Sequence, residues 1–192
     1  MPSVAIVYFS AQGHTHQLAE AVAEGAKGVA GTTVELIRLA NTDIKDGRWS
    51  NDAAVAKLNA ADAIVFGTPT YMGGYSAQMK AFIDACSGIW YQQLWKDKVA
   101  AAFTHSGGLS GDKLNTLNGL YVNAMQHSMI WVGLGLLVEG TGKENVNRLS
   151  SYGGAMAQTD QGQADVNPGD RKTAAALGKR VAETAARWAK GK

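Results

Sequence analysis

A single cysteine, three prolines and a net charge of only +2 are what this 192-residue chain has little of. One thiol, Cys86, cannot close an internal disulfide, so the fold must rest on its core. At this length folding buries roughly 70% of the unfolded surface, and no disulfide or metal staple is needed. No run approaches the roughly 20 apolar residues that cross a bilayer. The N-terminus also lacks the basic region and small-residue cleavage site of a signal peptide, so a cytoplasmic location with no membrane span is expected. The 18 Lys+Arg and 16 Asp+Glu are spread along the chain without a basic patch, which argues against nucleic acid as the main partner. Two phosphate-binding signatures are missing as well. Gly142-Lys143 is followed by Glu144, with Leu137 where a Walker loop needs its first glycine, and no G-x-G-x-x-G follows the first strand.

What is present is a repeated unit. Val4-Ala5-Ile6-Val7-Tyr8-Phe9 is continuously apolar, the pattern of a strand covered on both faces of a parallel sheet. It stops at Ser10-Ala11-Gln12-Gly13-His14-Thr15, after which Leu18, Val22, Ala26 and Val29 form a helical stripe. Residues 33–39 read as a second strand nearer an edge, β-branched at the start and partly alternating. The unit recurs in a strand at 63–67, a loop at 68–74 and a helix marked by Met79, Phe82, Ile83 and Cys86. It recurs again in a strand at 98–103, a loop at 104–111 and a helix marked by Leu114, Leu117, Tyr121, Ala124 and Met125. Residues 129–134 make a fifth strand. The last helix starts with Asn167 as N-cap and Pro168 at its first position, and its buried face is Ala174, Leu177, Val181, Ala185 and Trp188. This alternation predicts an α/β fold, a doubly wound five-stranded parallel sheet with helices on both faces, with 1–192 as one domain. The segment from Gly135 to Asn167 is polar, glycine-bearing and too long for an ordinary connection, so it is expected to be functional or interfacial.

In an open α/β sheet, ligands bind beyond the carboxyl ends of the strands where the strand order reverses. That singles out the loops after the first, third and fourth strands. The first opens into a helix, where free amides and the positive dipole end suit a phosphate. Ser10 and Thr15 add hydroxyls, Gly13 permits a positive φ or a close approach, and no Lys or Arg lies in the loop. His14 either bonds a phosphate or caps the turn. Cys86 continues an apolar helix face and reads as a packing residue. His127 is open between a helix-end cation and a functional group, and His105 is undecided. Trp90 is open between covering a sheet edge, making a subunit contact and stacking on a substrate. The acidic residues show no paired arrangement for acid–base chemistry, and no metal site is expected.

Taken in order, Tyr8 to Thr15, Phe66 to Gly73 with Ser76 to Asp84, Gly88-Ile89-Trp90, Phe103 to Gly107 and Gln126-His127-Ser128-Met129 resemble the WrbA-type flavodoxin-like NAD(P)H:quinone oxidoreductases, over essentially the whole chain. The resemblance implies a flavodoxin-like fold and an FMN whose phosphate sits on Ser10, Gln12, Gly13, His14 and Thr15. It places the isoalloxazine beside Pro69, Thr70, Tyr71, Met72 and Gly73, with His105, Ser106, Gly107, Gly108, Leu109 and Ser110 closing over the ring edge. It further implies His127 beside the flavin as the catalytic group, Gln12 at the nicotinamide nucleotide, and Trp90 lining the substrate pocket, often from a neighbouring subunit of a homodimer or homotetramer. Tyr71 and Met72 stand where the family's best-known pattern has Arg and Phe, and the Ser106 to Leu109 stretch replaces a Thr-Gly-rich loop. Nucleotide preference and substrate shape are therefore not carried over.

The expected activity is two-electron reduction of a quinone by NAD(P)H through FMN, with ping-pong kinetics because two flat ligands use one ring in turn. The alternatives are a flavodoxin-type electron carrier without a substrate of its own, or a reductase of flavin, azo, nitro or iron acceptors. Such carriers are typically strongly acidic, and the charge of +2 disfavours that class.

Overall fold

The apolar runs form the middle of a sheet, as their lack of alternation requires. The computed structural model describes residues 1–191. Along the chain, β1 (Ser3–Tyr8) leads into α1 (His14–Lys27) and returns to β2 (Thr33–Arg38); a hairpin of β3 (Ile44–Lys45) and β4 (Arg48–Trp49) precedes α2 (Asp52–Ala60). Then come β5 (Ala63–Tyr71), β6 (Gly74–Tyr75), α3 (Ala77–Ala85), α4 (Ser87–Tyr91), β7 (Val99–Ser106) and α5 (Lys113–Gln126). The chain ends with β8 (Ile130–Trp131), β9 (Ala155–Gln158) and α6 (Pro168–Lys190). The order across the sheet is β2-β1-β5-β7-β8, with every neighbour parallel. This is the flavodoxin-like doubly wound order, and it reverses between β1 and β5.

Because strand side chains alternate, each strand serves two cores. Val4, Ile6, Tyr8, Val65 and Phe103 pack under α1 and α6, whereas Ala5, Val7, Ile64, Phe66 and Ala102 pack under α2, α3 and α5. β5 and β7 are buried almost throughout and run past the ends expected from apolar residues alone, to Tyr71 and Ser106. Buried threonines make this extension possible. Thr70 Oγ1 shares hydrogen bonds with the hydroxyls of Thr104 and Thr116, and Thr104 Oγ1 donates to Thr68 O, so no hydroxyl of this set is left unpaired.

Several elements differ from the sequence reading. The fifth strand is split: β8 pairs with the start of β7, the chain leaves the sheet, and β9 returns to pair with residues 103–106 of β7. The intervening segment fits closely, since a Cβ on Gly133 would lie 2.5 Å from Tyr152 O. α2 has a weak apolar face and was invisible to periodicity; its signal is Asn51, whose side chain accepts from Ala54 N as N-cap. Leu114, Tyr121 and Trp188, expected to be buried, are 60%, 43% and 45% exposed, and Val29 lies beyond the end of α1. The buried face of α5 is instead Lys113, Thr116, Leu117, Leu120 and Ala124. Asn167 starts α6 as expected, although its side chain donates to Gln158 O rather than capping the helix.

α1 and α6 cross with their backbones in contact. A Cβ on Gly25 would lie 1.8 Å from Ala175 O, and one on Gly178 would lie 1.9 Å from Val22 O. Gly→Ala inside a helix ordinarily stabilises by about 1 kcal/mol. Here the sign reverses, because the added methyl forces the helices apart. Gly178→Ala is expected to lower stability by about 1–3 kcal/mol, read as a lower urea midpoint; a midpoint at or above wild type contradicts the close crossing.

Candidate functional site

The first, third and fourth loops converge at the carboxyl ends of β1, β5 and β7. They enclose a cleft of about 160 Å³ lined by Ser10, Gln12, His14, Thr15 and, opposite them, Pro69, Thr70, Tyr71, His105, Ser106 and Gly107, with Ala11 between. Gly13 turns the chain at φ 97°, with open space where a side chain would be. Ser10 Oγ accepts from the amides of Gly13 and His16 and so braces the turn. Among the described residues the amides of His14 and Thr15 meet no acceptor, leaving two donors at the start of α1. A cation also reaches this loop although its own sequence holds none: Arg38, at the end of β2, donates to Ser10 O at 3.0 Å. His14 stacks on His105 with centroids 4.7 Å apart, His14 Nε2 bonds Gln163 O, and His105 Nε2 bonds Thr159 Oγ1. Both ring partners come from the segment before α6, so part of the region expected to be functional does contact the cleft.

On the rim, Tyr71 is 47% exposed and Met72 fully so, held at φ 47° beside Gly73 at φ 77° in the turn between β5 and β6. Gly107, Gly108, Leu109 and Ser110 are also exposed. Leu109 and Ser110 border a second, larger cavity of about 630 Å³, shared with Asn115, Asn118, Tyr152 and Met156. The residue that organises this loop was missed by sequence reasoning. Lys113 is fully buried and donates to Ser106 Oγ, Gly108 O and Leu109 O at 2.7–2.9 Å. Burial pulls its ammonium down to about 8, with Asp170 opposing and Arg148 reinforcing the shift. Behind the loop, the buried Arg148–Asp170 ion pair at 2.7 Å holds Gln158, whose side chain donates to Gly107 O.

Two expected site residues lie elsewhere within the chain. His127 follows α5 at the opposite end of the sheet, where Ser128 O accepts from Asp97 N just before β7 begins. It is buried against Trp95 with centroids 4.5 Å apart, and among the described residues its Nδ1 has no partner. Helix α5 runs back along the sheet, so His127, after its end, does not line the chain's own cleft at the helix's start. Trp90, 43% exposed on α4, lies at that same end, where Gln93 bonds both Trp90 O and Gln126 O. Cys86 is buried, its thiol pushed up to about 12, and it acts as packing.

The profile of a family described as NADPH-dependent FMN reductase matches residues 3–136. The chain belongs to this family. The chain is 37% identical to Flavodoxin FldP of Pseudomonas aeruginosa, covering 95% of this chain and 96% of that protein. It is 33% identical to an NAD(P)H dehydrogenase (quinone) of Geotalea uraniireducens, covering 97% and 99%. Among solved structures, a flavodoxin, WrbA-like protein from Agrobacterium tumefaciens superposes with TM-score 0.77 at 42% identity, covering 97% and 99%. The resemblance to WrbA-type proteins therefore holds over the full length. The residues present are compatible with the family's FMN: acceptor-free amides, an open left-handed glycine and a nearby guanidinium would suit a phosphate, and exposed Tyr71 and Met72 border an open rim.

His105 and His127 give the fold an acid limit. Burial holds each imidazole at about 4 instead of 6.5. The unfolded chain takes up these protons near pH 6.5 while the folded chain resists until near pH 4, so stability present above pH 6.5 is lost as the pH falls through that window. The urea midpoint is expected to drop between pH 7 and pH 5, and His127→Gln to flatten the drop; a pH-independent midpoint contradicts neutral buried histidines.

Proposed function

We propose that residues 1–192 act as one FMN-binding unit, a cytoplasmic NAD(P)H:quinone oxidoreductase. The observation that carries this reading is the pair of acceptor-free amides, His14 and Thr15, at a cleft closed by the ends of β5 and β7. Relatives named NAD(P)H dehydrogenase (quinone), matched over nearly the full length of both chains, support it. When bound, FMN supplies the hydride chemistry that the side chains lack. The protein's part is placement and charge. Ser10, Gly13, His14 and Thr15 would hold the phosphate, with Arg38 adding a positive charge through the loop backbone. Pro69 to Gly73 and His105 to Ser110 would flank the ring, and exposed Gln12 would meet the nucleotide. No side chain need act as nucleophile, and buried His127 is left out of the chemistry.

Two flat ligands would use the one flavin ring in turn, so on this reading NAD(P)H and quinone alternate. Anaerobic NAD(P)H is expected to bleach the flavin absorbance of the FMN-loaded protein, and benzoquinone to restore it, with parallel lines in double-reciprocal plots. Intersecting lines from an obligatory ternary complex would sink the alternating mechanism. The likeness to Flavodoxin FldP favours a second reading, an electron carrier; bound flavin that neither nucleotide reduces would select it.

Exposed Trp90, Tyr91 and Leu94 lie far from the chain's own cleft, and Trp90 meets substrate only if another subunit presents it there. The active form on this reading is a homodimer or homotetramer. Light scattering is expected to show it, and a monomer with full quinone turnover contradicts it.

A further inference from the structure

Four successive carbonyls, from the last residue of β7 into the loop that follows, are bonded from the protein interior. Ser106 O accepts from Thr159 N at 3.4 Å, and Gly107 O from Gln158 Nε2 at 3.0 Å. Gly108 O and Leu109 O accept from Lys113 Nζ at 2.7 and 2.9 Å. In a trans peptide the N–H points away from the C=O of the same unit, so the amides of Gly107, Gly108, Leu109 and Ser110 are turned outward. Those four residues are exposed, and among the described residues their amides find no acceptor. Interior bonding of one side of the loop has thus made a row of free donors on the other.

Lys113 stands at the centre of this arrangement. Its side chain is fully buried, and all three of its hydrogen bonds go to uncharged oxygens: two carbonyls and the Ser106 hydroxyl. The ammonium charge is therefore not cancelled by a direct carboxylate partner and lies beneath the donor row. A buried lysine costs desolvation that a methionine or leucine would avoid. What it brings in return is a fixed loop shape and a positive potential at the exposed amides.

We propose that Lys113 is the positioning residue of this loop: its ammonium gathers the Gly108 and Leu109 carbonyls and the Ser106 hydroxyl, and so aims the amides of Gly107 to Ser110 at the electron-rich edge of the bound flavin ring. This rests on the reading that the cleft binds FMN. Deprotonation removes the charge and one of three donors, and with the ammonium at about 8 this happens in an accessible range. The groups acting there are Asp170 from α6, Arg148 from the segment before β9 and His105 from β7, and exposed Asp112 precedes Lys113 just before α5. His105, held at about 4, is neutral throughout the range of the test.

The test is FMN titration of the apoprotein, followed by quenching of flavin fluorescence, at pH 7 and at about pH 9.5. Wild type is expected to weaken severalfold at the higher pH. Lys113→Met is expected to bind FMN roughly tenfold more weakly at pH 7, the equivalent of one charge-assisted hydrogen bond, with no further loss at high pH. Lys113→Arg keeps the charge, and is expected to regain affinity and lose the pH response. A folded Lys113→Met protein with wild-type affinity overturns the inference, as does wild-type binding that ignores pH; should neither variant fold, the wild-type pair of titrations decides. FMN binding that is indifferent to Lys113 removes this inference alone, whereas a wild-type chain that takes up no FMN at pH 7 removes the functional reading and the inference with it.

Discussion

The contact of α1 with α6 at Gly25 and Gly178 sets the position of nearly everything at the cleft. Two helices with side chains at the crossing would stand farther apart; here each backbone meets the other helix directly. The N-terminus of α1 is thereby brought against the chain that leads into α6. Gln17 bonds Ala164 O and Val166 N, and His14 bonds Gln163 O, so the first loop is fixed from both sides. The start of α6 is in turn tied to the sheet, because Asp170 joins Arg148 and accepts from Gln158 N at the end of β9. One close crossing therefore references the first loop to the loop after β7, which neither strand pairing nor the α5 side of the sheet would do.

The polar groups inside this frame follow the same logic. A buried ion pair seldom adds much stability over apolar residues of equal volume, yet losing one partner costs several kcal/mol. Arg148 and Asp170 thus act as a geometric lock on Gln158 and, through it, on Gly107 O. The paired hydroxyls of Thr70, Thr104 and Thr116 do the corresponding work on the other face, letting β5 and β7 extend to the cleft without unsatisfied groups.

Much of the fold was legible because its signals are apolar and local. Val4 to Phe9 and residues 63–67 show the unbroken runs of doubly covered strands, and Asn167-Pro168 marks the start of α6. Legibility ended where burial is polar. Lys113 and Thr116 face inward on α5, so an apolar stripe pointed to Leu114 and Tyr121 instead. The short β9 was hidden because Ala155 to Gln158 owes its place to pairing with β7 and to Arg148, neither of which is local. At the cleft, the loop residues from Ser10 to Thr15 could be found from a strand, a glycine turn and a helix start. His127 could not be separated from them without knowing that α5 carries it to the other end of the sheet.

The charges around the cleft share one feature. No fixed charge lies in the first loop or in residues 104–111; the cations enter from behind, Arg38 through Ser10 O and Lys113 through Gly108 O and Leu109 O. The surface left in front consists of amides, hydroxyls, small residues and the exposed rings and chains of Tyr71, Met72 and Leu109. Backbone donors depend on the path of the chain more than on side-chain identity. The loops can therefore differ from the common WrbA-type pattern at Tyr71, Met72 and Ser106 to Leu109 while the donor arrangement behind them is kept. On the proposed reading, variation in front would change which flat molecule is admitted, while Arg38, Lys113 and the Arg148–Asp170 pair keep the backbone frame behind it.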